Sequence, residues 1–481
     1  MAVLSCQLQQ QQDAAAGTRS SPPKAERKKR WAAKVKTGCA TCRHLTARES
    51  ASRSPSLEPS NLPAFPVYVH SSRQEEQMFH ILCSEATSGV DGGLDRRFWT
   101  IVVPKATRTY PAIWHASASL TAMYKRIKNG GESLAENRQL YQFSLAQYNK
   151  SIQKLLSINP KQAEPSYHEQ ETLLLASILF TGICNLQGDQ EKARVHIDKG
   201  VQLFNHWRFW EHSAKSSRVD GALATKSLVA LFNRFELQSS FSTPPKPYWQ
   251  TMSFERRQPH SDLTCETELY YQQQHILNNL IKLYRSQVYY HIKEMAHLVT
   301  EPRLPWRYQY RRWKARFQEL QDMDHRAKLI MQIYAHTIEV ILFADAAAAE
   351  LVWDRYTYSF QRVFAQTKEL FELETNANVR NQRTITLFAF SPAPCHPCLG
   401  IGALCRDGTL RRKSIDLLKR WPMRDGMVNY KIAAASLTAI MLYEESHGKR
   451  ENPCRQCEET PVTRICGSHR VIYRDLEQSL T

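Results

Sequence analysis

The sequence predicts an all-α protein of stacked antiparallel helical hairpins, preceded by a basic, largely disordered segment. Three observations carry that reading. Apolar residues recur at helical spacing through most of the chain after residue 73. The stretch 172–186 is apolar on nearly every side, as a helix enclosed by other helices is. Only 17 glycines punctuate 481 residues, and strand-like alternation between turn dipeptides is scarce.

The elements follow in order. Residues 1–73 hold twelve Lys and Arg against four Asp and Glu, and are rich in Gln, Ser, Pro and Ala. That composition buries too little apolar surface to offset the entropy of ordering it, so it reads as a linker-like segment. The helical region runs from 74 to 448 and opens with a helix over 108–127. Tyr141, Leu145, Tyr148, Ile152 and Leu155 form the apolar stripe of the next. The enclosed helix 172–186 ends at Gln187-Gly188-Asp189, and Ala193, Ile197, Val201 and Phe204 make the stripe of its partner. So short a turn obliges the two to pack antiparallel. Further helices fit 222–241, 267–298, 313–342, 344–374, 409–420 and 427–446, and residues 449–481 form a tail. No clean period emerges, so a regular solenoid is not expected.

The charge balance is 64 Lys and Arg against 46 Asp and Glu, a formal +18 that favours polyanionic partners. No stretch offers about 20 mostly apolar residues, so no membrane partner is expected. Where a signal peptide needs an apolar run, Gln7 and Gln9 to Gln12 are polar and Asp13 is charged, which predicts an intracellular chain with reduced cysteines. No phosphate-binding glycine loop, nucleophile elbow or metalloprotease helix occurs, so no enzyme is expected. His115 and His196 sit among apolar neighbours at helical positions and read as packing histidines. The basic, aromatic stretch from Trp306 to Arg316 reads as a loop leading into a helix whose Trp313 and Phe317 face the core.

One local signature has a metal chemistry. In KVKTGCATCR (34–43), Cys39 and Cys42 are spaced to grip one zinc ion through both thiolates. The basic run Lys28, Lys29 and Arg30, with Lys34, Lys36 and Arg43, supplies phosphate contacts and keeps thiolates deprotonated. The string resembles the opening of the fungal Zn(2)-Cys(6) binuclear cluster, the DNA-binding module of a family of fungal transcription factors. Cys39, Cys42 and Arg43 match its first two cysteines and first basic residue. Glu49 stands where the third cysteine belongs, and the next cysteine is Cys83. Later segments resemble the helical regulatory region of the same family: Glu75 and Phe79, then Pro111-Ala-Ile-Trp-His115-Ala116, the 174–204 hairpin, and Cys405-Arg406-Asp407 with Arg411-Arg412. Two further cysteine groups fall outside the motif. Cys395, Cys398 and Cys405 read as core cysteines, whereas Cys454, Cys457, Cys466 and His469 have the order of four metal ligands.

The resemblance implies a nuclear regulator of RNA polymerase II transcription, with zinc as cofactor and DNA as partner. It also implies protein partners, a second copy of the chain among them, through the helical region. The alternative is a non-enzymatic helical scaffold or co-regulator without specific DNA binding. Two thiolates cannot replace six, so metal analysis of the 1–73 segment is expected to find well under one zinc per chain. Two tightly bound zinc ions there would refute this.

Overall fold

The computed structural model describes residues 71–470, apart from 87–95, 97, 129–132, 159–164, 215–218, 240–264, 293–302, 321, 345–349, 381–387, 391–394, 422–423, 426–427 and 448–463. The fold is all-α. In chain order the helices are α1 (Arg73–Ile81), α2 (Val103–Thr109), α3 (Pro111–Lys128), α4 (Leu134–Leu156), α5 (Tyr167–Gln187), α6 (Gln190–His206) and α7 (Val219–Ser239). They continue as α8 (Cys265–Ile292), α9 (Leu304–Glu319), α10 (His325–Phe343), α11 (Thr357–Arg380), α12 (His396–Leu404), α13 (Gly408–Arg420) and α14 (Tyr430–His447). A sheet of three two-residue strands pairs β1 (Phe388–Ala389) parallel to β2 (Arg424–Asp425), and β2 antiparallel to β3 (Val428–Asn429).

Several helices start where local chemistry makes them start. Tyr110 is extended because Pro111 follows it, and this divides the predicted 108–127 helix into α2 and α3. Asp324 caps α10 by accepting from the Ala327 amide, which breaks the predicted 313–342 helix after α9. The Trp306–Arg316 stretch is helix rather than the expected loop, because α9 already starts at Leu304, where Pro305 suits its first turn. Ala344 is extended and closes α10, so the predicted 344–374 helix becomes a short 3-10 turn (Glu350–Tyr356) followed by α11. Gly188 ends α5 at φ 84°, a left-handed cap that glycine adopts without steric cost, and Asp189 at once caps α6.

Two large apolar cores and a small one, Met78 with Ala118, Ala122 and Leu140, result among the described residues. The first gathers side chains of α2, α3, α5, α6 and α7 around α5, in which Leu174, Ile178, Leu179 and Ile183 have no exposed surface. The second gathers α8 to α14. Phe390 belongs to the first core although it follows α11: its ring stacks on Trp99 at 4.6 Å. Gly182 makes room, since a Cβ there would lie 2.5 Å from that ring. Between α7 and α8 the fully buried Lys282 donates to Glu236 at 2.7 Å, and burial pulls its ammonium down to about 8.

The α4 stripe is displaced from its predicted face. Leu155 is buried, but the other fully buried positions are Leu140, Ser144, Gln147 and Ser151 rather than the tyrosines. Small side chains let α4 approach α3 closely, and their hydroxyls are bonded across the gap. Ser119 and Ser144 pair at 2.9 Å, and Ser151 donates to the Ala112 carbonyl at 2.7 Å.

Residues 464–470, placed with the tail by sequence, pack onto the helical body as a strap. Ile465 exchanges bonds with Arg406, and Asp407 bridges Arg464. Two carboxylates fasten the strap, each gripped by two arginines. Asp354 accepts from Arg406 (2.6 Å) and Arg464 (2.9 Å). Glu444 accepts from Arg411 and from Arg470 (2.8 Å), and all three of these side chains are buried. Desolvating charges this far is tolerable only because each is paired and hydrogen-bonded.

Ile178→Asp would bury an unpaired carboxylate at the centre of α5. Urea denaturation should show a loss of about 4 kcal/mol or more. The same change at Leu134, 88% exposed on the first turn of α4, should stay within about 0.5 kcal/mol. Similar losses at both positions would mean that α5 is not enclosed.

Candidate functional site

Cys39, Cys42, Lys28, Lys29, Arg30, Lys34, Lys36 and Arg43 lie outside the described residues, as do Cys454 and Cys457. Cys466 is a buried residue of the strap, and His469 closes a 3-10 turn beside it. Cys395, Cys398 and Cys405 are core residues at 1% exposure or less. Burial pushes the Cys398 thiol up to about 12 and that of Cys405 to about 11. Among the described residues no group of three or more His, Cys, Asp or Glu is placed to hold a metal ion. No helix there is long and apolar enough to cross a membrane.

Two segments singled out in the sequence, Glu75–Phe79 and Pro111–Ala116, meet in space. Glu75 on α1 is buried, and it accepts from Gln147 (2.6 Å) and Lys150 (3.0 Å) on α4 and from the Trp114 indole (3.4 Å) on α3. Burial alone would raise its pKa. The bonds from Gln147, Lys150 and the Ser72 amide outweigh that and hold it below the ordinary value. His115 shares a 2.6 Å bond with the Gln147 carbonyl oxygen, and burial lowers its pKa. Phe79 stacks on Trp114 at 5.3 Å. His196 bonds the Tyr148 hydroxyl at 2.8 Å, the packing role its neighbours predict. In the late motif Arg406 and Arg411 hold the strap, and Asp407 caps α13.

A groove between α9, α10 and α11 has a volume of about 390 Å³. That lies within the size range of ligand clefts. One wall is a ladder of rings: Tyr310 stacks on Trp313 at 5.8 Å, and Trp313 on Phe317 at 5.1 Å. The floor is a face of α10 that presents Lys328, Gln332, Ala335, His336 and Glu339. Glu339 accepts from the Tyr310 hydroxyl (2.8 Å) and the Lys314 ammonium (2.7 Å), with the His336 ring at 3.3 Å. Led by the His336 contact, these partners hold the carboxyl down at about 2. Arg362 on α11 forms the far rim, its guanidinium 5.9 Å from the Tyr358 ring. Lys328 and Arg362 make no ion pair among the described residues. Further along, Gln366 donates to Gln332, and Arg326 pairs with Glu374, so α10 and α11 are tied together at one end of the groove.

Sequence reading places Trp313 and Phe317 against a core, and both pack there. It misses the groove, because Tyr310, His336 and Arg362 come from three helices and form no motif. The one trace in sequence is the polar spacing Lys328, Gln332, His336, Glu339 on an otherwise apolar α10, a pattern that any solvent-facing stripe shares.

Comparison of the chain with protein-family models, with curated proteins and with solved structures finds no match in any of the three.

A second titratable group lies away from the groove. Glu171 on α5 is 17% exposed, and burial raises its carboxyl from 4.5 to about 7 despite Lys105 nearby. The folded chain therefore holds this proton more tightly than the unfolded one. Its contribution to stability is complete below pH 4.5 and is lost as pH rises through about 7. Glu171→Gln is expected to raise stability at pH 8 by about 1–2 kcal/mol and to change little at pH 4. Thermal melts at the two pH values decide it, and an equal effect at both would contradict the assignment.

Proposed function

We propose that this chain is a transcription regulator of the fungal zinc-cluster type, acting in the nucleus. The basic N-terminal segment meets DNA phosphates, and the helical body receives a partner or signal. The observation that carries the reading is the string from Lys34 to Arg43, with Cys39 and Cys42 set in a Lys- and Arg-rich segment ahead of an all-α body. It is supported by the residues of the regulatory-region resemblance, which have definite structural jobs: Glu75 and Trp114 in one buried hub, Arg406 and Arg411 in the strap.

The donor set does not fit the zinc centre that the resemblance implies. A binuclear cluster shares six thiolates, and Glu49 occupies the place of the third. Base reading by a helix built on that cluster therefore forms no part of the proposal. What remains is charge: Lys28, Lys29, Arg30, Lys34, Lys36 and Arg43 attract phosphate without regard to sequence. The incomplete ligand set favours a second reading, a helical co-regulator that reaches its genes through other proteins.

Titration of the full chain onto several duplexes at two salt concentrations tests the proposal. Binding should weaken steeply with salt and vary little between sequences. Neutralising Lys28, Lys29 and Arg30 should flatten the log–log salt slope by about 0.9 for each phosphate left without its cation. No binding at low salt would leave the co-regulator. A marked preference for one duplex would show that a base-reading element exists after all.

A further inference from the structure

We infer that the groove between α9, α10 and α11 binds a small amphipathic anion: a flat apolar body carrying one carboxylate.

Both the shape of the groove and the pairing of its charges point to such a ligand. The aromatic ladder ends in Phe317, which is only partly buried, so the groove offers a ring face to an apolar body. A volume of about 390 Å³ accommodates a bicyclic aromatic acid with room to spare. Three cations border this space, Lys314, Lys328 and Arg362, against the single carboxylate of Glu339. Glu339 is satisfied by Tyr310, Lys314 and His336, so it has little left to offer a cationic ligand. Lys328 and Arg362 are exposed and make no ion pair among the described residues. They stand on α10 and α11, the floor and far rim of the groove that α9 walls with rings. A carboxylate directed at this pair, with its apolar body against Phe317, satisfies both halves of the site. Arg362 adds the planar fork that matches a carboxylate in two hydrogen bonds. A nucleic-acid duplex would meet the cations but, with its bases already stacked inside, would leave the apolar wall uncovered.

The groove belongs to the helical body, so its ligand is independent of the DNA contact proposed above, and occupancy is read on the ligand rather than on DNA. The probe is 2-naphthoate, titrated against the full chain by calorimetry and ligand-observed NMR, with 2-naphthamide as its neutral twin. The carboxylate should bind with a sub-millimolar Kd, at least about tenfold tighter than the amide, and should weaken as salt is raised. The double variant Lys328→Gln, Arg362→Gln should lose about tenfold or more in affinity for 2-naphthoate, with part of the loss in each single variant. Circular dichroism and Tm should stay unchanged, because both side chains are exposed and make no ion pair among the described residues. Equal affinity for acid and amide would overturn the inference. So would undiminished binding by a folded double variant, or no binding of 2-naphthoate at about 5 mM.

Discussion

A helix that is apolar on every side has to be enclosed, and α5 imposes that constraint on the rest of the chain. Its core residues touch side chains from α2, α3, α6 and α7, and the remaining opening is closed by Phe390, contributed from the far side of α11. Because Gly182 lets that ring approach, the second half of the molecule is tied to the first through a residue it does not pack itself. The Lys282–Glu236 pair makes a second tie, electrostatic where the first is apolar. Apolar burial supplies most of the driving force in such a body. The buried ion pairs, costly to desolvate, fix which surfaces meet rather than how strongly they hold.

How legible this was follows from the range of each interaction. The α5–α6 hairpin could be read directly, since its stripe, its left-handed glycine and its capping aspartate all lie close together in sequence. Breaks inside the long predicted helices were harder to place. The cap of α10 is one aspartate in a polar stretch, whereas helical spacing continues on both sides of it. The buried face of α4 was misjudged for a physical reason. Hydropathy ranks Tyr141 above Ser144, yet close approach to α3 favours the smaller side chain once its hydroxyl has a partner. Tyr148 and Ile152 still flank the first core, so the predicted stripe lies beside the contact rather than on it.

Function was less legible than fold because its residues are distributed differently. The segment with a recognisable metal and phosphate chemistry, 34–43, lies outside the described residues, while the groove is assembled from helices that carry no signature. Glu75, Trp114 and His115 stood out by resemblance, and the structure gives them a physical role as a buried polar hub joining α1, α3 and α4. Arg406 and Arg411 are a parallel case, as the arginines that hold the strap.

The strap has a consequence for how this chain can change over generations. Each of its carboxylates holds two arginines, so each cluster carries one positive charge more than neutrality requires. Losing an arginine leaves a matched pair, whereas losing Glu444 leaves two buried guanidiniums facing one another. Substitutions can therefore accumulate in one order and hardly in the other. Arg464 or Arg470 can drift first, and only a lineage that has already lost one of them can replace the acid at modest cost. Descendants of this sequence should keep the acidic residue longest, including those whose strap has begun to diverge.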